Sequence, residues 1–164
     1  GIGRVMRKER PDTKIVLSEP ANAQLLGSGK AQERAADHSP SVSHPAFEPH
    51  PIQGWTPDFI PYVLQESVDK HLYDELIPIA GPEGIEWSRK LAAKEGIFTG
   101  ISGGSTFAVA MKIAEKAEPG SVILAMLPDT GERYLSTPLF EGIPEDMDEA
   151  EKEISLSTPG YRME

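Results

Sequence analysis

Thr99 to Lys116 reads TGISGGSTFAVAMKIAEK. The run entering it, Ile97-Phe98-Thr99-Gly100-Ile101, reads as a strand. The segment leaving it, Phe107 to Lys116, is apolar almost all round and reads as a buried helix, stopped by Pro119-Gly120. Between them Gly103 and Gly104 sit among the hydroxyls of Ser102, Ser105 and Thr106. A strand, a glycine-rich turn and a helix present free backbone N–H groups at a helix N-terminus. Glycine lets a ligand come close to the backbone. The string has neither the Gly-Lys-Ser/Thr of a P-loop nor the G-x-G-x-x-G of a dinucleotide site. Its local chemistry leaves two readings open: an anion or cofactor site, or a tight turn in which Ser105 is the N-cap.

Towards the C-terminus, Ser121 to Leu127 (SVILAML) is a near-continuous apolar run. Such runs belong to central strands covered on both faces. LPDTGERYLST follows, Leu127 to Thr137. Ligands of doubly wound sheets lie at the carboxyl ends of strands. Pro128, Asp129 and Thr130 are therefore expected beside the same mouth as Ser102; the alternative is that Asp129 only caps the next helix. Residues 141–164 form an acidic, proline-punctuated tail, set apart from a main body of 1–140. The tail carries a surface helix over Asp148 to Ile154 and a mobile end.

Towards the N-terminus, Pro82 to Glu95 reads as a helix ended by a C′ glycine, Gly96. Glu75 to Ala80 reads as a strand that Pro78 places near an edge. Lys14 to Leu17 reads as a strand running into a loop at Ser18-Glu19-Pro20, and Ala21 to Leu26 as a short helix. Ile2 to Lys8 reads as a helix stopped by Pro11. Residues 30–54 hold Pro40, Pro45, Pro49 and Pro51 without periodicity, so they read as one long loop. His38, His44 and His50 recur in it every six residues. That spacing matches no helix or strand face, and nearby carboxylates are sparse, so a solvated loop is expected and no metal site. The alternation of strands and helices gives an α/β class: a three-layer, doubly wound, mostly parallel sheet.

Bulk composition narrows the function. The chain has 164 residues, 38% hydrophobic and 26% charged, which suits one globular domain. A formal net charge of −10 argues against nucleic acid or an anionic membrane as partner. No apolar run reaches the roughly 18 residues of a membrane span, and no secretory signal opens the chain. The absence of cysteine excludes disulfides, thiolate metal sites and a cysteine nucleophile, and fits a cytoplasmic protein.

GISGGSTFAVA (Gly100 to Ala110), LPDTGERYLST, IQG…FIP (Ile52 to Gly54, Phe59 to Pro61) and SEP (Ser18 to Pro20) together resemble the C-terminal part of a cysteine synthase. This is an O-acetylserine sulfhydrylase of the fold-type II enzymes that use pyridoxal 5'-phosphate. Cystathionine β-synthase-like relatives share the FIP and glycine elements; GERYLST points to cysteine synthase. The resemblance implies the large domain of such an enzyme, incomplete at its N-terminus. It implies that Ser102 hydrogen-bonds the pyridine nitrogen, that Pro128 and Asp129 lie at that end of the ring, and that Gly54 lines the substrate entrance. It implies replacement of the acetate of O-acetylserine by sulfide to give L-cysteine. A homodimer, and docking of the serine acetyltransferase C-terminal tail, come with it.

Two departures stand out. Trp55 and Pro57 replace small residues at the entrance, which bears on the sulfur donor and the substrate range. The family's Schiff-base lysine and phosphate loop have no counterpart in this chain, and Lys14, Lys90, Lys94, Lys112 and Lys116 are not expected to substitute. The chain opens at Gly1 in what reads as a helix already under way, so a fragment of a longer protein is expected, inactive by itself. A non-catalytic partner-binding module is the rival expectation.

Overall fold

The computed structural model describes residues 1–157; the expectation of a mobile chain end falls on residues 158–164, outside that range. In chain order the elements are α1 (Ile2–Glu9), β1 (Val16–Pro20), α2 (Tyr62–Asp69), β2 (Glu75–Ile79), α3 (Gly81–Glu95), α4 (Ile101–Ala114) and α5 (Glu149–Ser157). Two 3₁₀ turns, Gly131–Tyr134 and Pro138–Phe140, separate α4 from α5.

The α/β class with parallel pairing holds. β1 and β2 run parallel, from Val16 opposite Glu75 to Pro20 opposite Ile79. β1 starts two residues later than expected and continues through Ser18-Glu19-Pro20, which the sequence reading placed in a loop. Ser18 adds a side-chain bond, its hydroxyl donating to Ile77 O at 2.8 Å. Each strand is an edge of this two-stranded sheet, which accommodates Pro78. At the open end of β1, Asp74 Oδ2 accepts from both Ile15 N–H and Arg7, each at 2.7 Å, and so ties α1 to the sheet.

Two expected strands are absent. Residues 97–100 are extended but form no ladder, because their backbone groups bond elsewhere. Ile97 N–H closes the C-terminus of α3 on Leu91 O, Phe98 O accepts from Gly131 N–H, and Gly100 N–H goes to Asp129. Ser121 to Leu127 lies unpaired, with Val122 at 96% and Leu124 at 93% exposure. A strand exists only where a neighbour takes its backbone bonds, and among the described residues none lies beside this run.

The short helix expected over Ala21 to Leu26 is a series of turns. The buried carboxylate of Glu19 takes the N–H groups that a helix would have used, accepting from Leu26 at 3.0 Å and Gly27 at 2.8 Å. Burial pushes the Glu19 carboxyl above its ordinary range, while these N–H bonds and nearby His44 pull it back. Residues 62–69, which the sequence reading left without an element, form α2.

The sheet and helices meet over Ile52, Ile79, Ile101, Ala108, Val109, Tyr134 and Leu139, with Trp55 and Trp87 packed on the margin. Ile52, Ile79 and Ile101 are almost fully enclosed, each worth roughly 1.5–3 kcal/mol of burial. α3 starts with Pro82 in its first turn and ends at Gly96, whose φ of 69° is the left-handed cap the sequence called for. A smaller cluster of Ala23, Leu25 and Ile60 lies under the long loop.

Candidate functional site

The glycines of TGISGGST are not a loop. α4 begins at Ile101, so Ser102 to Thr106 form its first turns, and Ser105 is not an N-cap: its hydroxyl donates to Ile101 O at 2.8 Å inside the helix. The glycines serve close packing. A Cβ on Gly103 would strike the Thr99 side chain; one on Gly104 would strike Gly84 O and the Ser88 backbone of α3. Protein atoms, not a ligand, fill the space these residues open.

What remains at the N-terminus of α4 is a compact polar group. Gly100 is the N-cap residue and has no side chain to satisfy the helix. Asp129 engages the N-cap residue from across the chain: its Oδ1 accepts from Gly100 N–H at 3.3 Å, and its Oδ2 accepts from the Tyr134 hydroxyl. Asp129 therefore does not cap the following 3₁₀ turn, whose N-cap is Thr130. Thr99 Oγ1 donates to Asp129 O at 3.2 Å and locks the two segments together. The Asp129 carboxylate, first by its hydrogen bond and then with burial, holds the Tyr134 phenol above its usual 10.0; Arg133 and the Ser102 hydroxyl act the other way.

Ser102 is 3% exposed and lies beside this pair. Thr106 Oγ1 bonds back to Ser102 O at 3.0 Å, as Ser105 does to Ile101 O. Among the described residues the Ser102 hydroxyl makes no such bond to the helix backbone; it lies in hydrogen-bond contact with the Tyr134 phenol, and turning it towards an incoming acceptor means giving up that contact. Asp129 is adjacent; Pro128, next in the chain, is exposed.

Gly54 lies elsewhere, in a cleft of about 320 Å³ between β1 and residues 54–64. Leu17, Leu25, Trp55, Phe59, Ile60 and Leu64 give it apolar walls. A Cβ on Gly54 would meet nothing within 4 Å, and its φ is +84°. Trp55 links the two places, packing on the core cluster that contains Ile101 and Tyr134.

The histidine loop differs from expectation at His44. It is 2% exposed rather than solvated, with Nε2 on Lys30 O at 3.1 Å and Nδ1 accepting from Ala46 N–H at 3.1 Å. His38 stacks on Tyr62. Among the described residues no three histidine or acidic side chains are grouped to hold a metal ion. Lys90 and Lys112 are paired with Glu86 and Glu83 on the surface of α3. Sequence reasoning missed Tyr134, because its partner Asp129 could be identified only from the return of 129–134 onto Gly100.

A neutral hydroxyl at the positive end of a helix suits an unprotonated pyridine nitrogen: the helix dipole disfavours a cation there. Asp129 is directed at Tyr134 and Gly100 through one oxygen each, and Ser102 is the side chain at the start of α4 offered as partner to the ring nitrogen. The residues present thus fit the ring-nitrogen end of pyridoxal phosphate.

Comparison with known proteins points to the same cofactor. The family described as pyridoxal-phosphate dependent enzyme matches residues 1–129. The O-ureido-L-serine synthase of Streptomyces lavendulae is 45% identical over 150 residues, 92% of this chain and 40% of that protein. A cysteine synthase of Staphylococcus aureus (strain N315) is 34% identical over 140 residues, 85% of this chain and 39% of that protein. A crystal structure of O-ureido-L-serine synthase superposes with a TM-score of 0.74 at 44% identity, covering 93% of this chain and 42% of the other. The chain thus spans about two fifths of the length of the relatives it matches.

Proposed function

The chain belongs to the pyridoxal-phosphate-dependent enzymes, and from that premise we propose that the protein carrying it catalyses β-replacement on an O-acylated serine. The product is a β-substituted alanine of the O-ureido-L-serine type. The observation that carries this reading is the neutral Ser102 hydroxyl at the α4 N-terminus, beside an aspartate committed to Tyr134 and Gly100.

Pyridoxal phosphate, when bound, supplies the electron sink for loss of the α-proton and of the β-substituent. Ser102 would hold the ring nitrogen by a hydrogen bond from its hydroxyl without protonating it, which would moderate the sink. A moderate sink favours expulsion of a β-leaving group over transamination. Tyr134 and Gly100 fix the Asp129 carboxylate and keep its charge from the ring. Gly54 leaves backbone exposed at the substrate entrance, and the bulk of Trp55 and Pro57 shapes the path of the incoming nucleophile. The lysine that anchors the cofactor and the phosphate loop are assigned to residues outside this chain.

Two nucleophiles compete within the reading. O-ureido-L-serine carries an O–NH–CO–NH₂ group on its β-carbon, so replacement with hydroxyurea yields it. The 45% relative favours that acceptor. GERYLST and the 34% relative favour sulfide, and hence cysteine. Assaying the complete protein with O-acetylserine against both acceptors separates them. Faster acetate release with hydroxyurea supports the first; a preference for sulfide makes it a cysteine synthase. No acetate release with either acceptor overturns β-replacement.

A further inference from the structure

The turn after Gly54 is strained. Thr56 has φ +35°, a region that a β-branched residue avoids. One side chain holds it there. His50 Nε2 lies 3.0 Å from Thr56 O. A carbonyl only accepts, so Nε2 carries the hydrogen and donates it, which leaves Nδ1 as a bare acceptor. Among the described residues that atom is buried without a hydrogen-bond partner. The protein tolerates both an orphaned ring nitrogen and a left-handed threonine at one turn. Such costs persist where the surroundings dictate the conformation. The turn is further pinned by Trp55 N–H on Ile52 O at 3.2 Å, and its next residues, Trp55, Thr56 and Pro57, line the 320 Å³ cleft.

We propose that His50 is a positioning residue: by holding Thr56 O it keeps the turn in its left-handed form and fixes the Trp55 indole as a wall of the cleft. The inference goes beyond the β-replacement reading and stands without it, because its test reads the indole and not catalysis. Trp55 and Trp87 are the two tryptophans of the chain, so in the complete protein a background with Trp87→Phe, and with any tryptophan outside this chain also changed to Phe, isolates Trp55 emission. In that background His50→Ala shifts Trp55 emission to longer wavelength and raises its quenching by acrylamide. His50→Gln, which retains a donor, returns both towards the parent. Thr56→Gly, which adopts positive φ without strain, reverses the His50→Ala effect although no hydrogen bond is restored. Unchanged emission in His50→Ala, or a red shift that Thr56→Gly fails to reverse, overturns the proposal. Should His50→Ala unfold the chain, His50→Gln decides: parent-like emission supports the role, and loss of the fold refutes it.

Discussion

At the scale of single residues the account turns on Asp129 and Tyr134. The carboxylate accepts from the N–H of Gly100, the N-cap residue of α4, and is itself held by a buried phenol. Tyr134→Phe deletes a hydrogen bond to a charged group and is expected to cost about 1.5–3 kcal/mol in urea unfolding. The same pair predicts an alkaline limit. The folded state holds the Tyr134 proton more tightly than the unfolded chain, whose tyrosine titrates near 10.0. The pair's contribution is therefore complete below that pH and is lost as pH rises through the higher folded value. Tyr134→Phe flattens the fall of stability between about pH 10 and the raised folded value; an unchanged slope would sink the assignment. Sequence alone named Ser102, Pro128 and Asp129, by their place after strand-like runs and by one resemblance. It could not show that Asp129 holds Gly100 at the start of α4, because that contact spans 29 residues and depends on where the chain returns.

At the scale of elements, α3 and α4 pack through small residues. Gly84 faces Ser105, and Gly104 lies against Gly84 O and Ser88, so the backbones approach closely. Gly104→Ala forces backbone against backbone and is expected to destabilise by about 1–3 kcal/mol in thermal or urea unfolding; a neutral result would mean that the helices can part freely. Helix periodicity and terminal punctuation made α3 legible almost to the residue, since Pro82 and Gly96 act locally. The glycine pair misled for the opposite reason. Gly-Gly beside hydroxyls has the same local chemistry whether a ligand or a neighbouring helix occupies the space, and here α3 and the Thr99 side chain occupy it. Ala21 to Leu26 misled in a similar way, because a buried glutamate seven and eight residues away claimed its N–H groups.

At the scale of the whole molecule, a near-continuous apolar run, Ser121 to Leu127, lies largely exposed. Val122, Leu124 and Met126 face solvent along an unpaired segment. Pattern reading expected a central strand there and the structure has none, because pairing is a property of neighbours and not of the run. An exposed apolar edge of this kind recruits other chains. Val122→Lys with Leu124→Lys is expected to leave unfolding free energy within about 0.5 kcal/mol per site while lowering self-association in light scattering. A large loss of stability would show that these side chains pack in the monomer.

The claim on which the function rests is the contact between the Ser102 hydroxyl and the cofactor's ring nitrogen. The direct measurement is the ¹⁵N resonance of ring-labelled pyridoxal phosphate bound to the complete protein, compared between parent and Ser102→Asp. The account predicts an unprotonated nitrogen in the parent and a shift into the protonated range when a carboxylate stands at position 102. The same resonance in both proteins would contradict it.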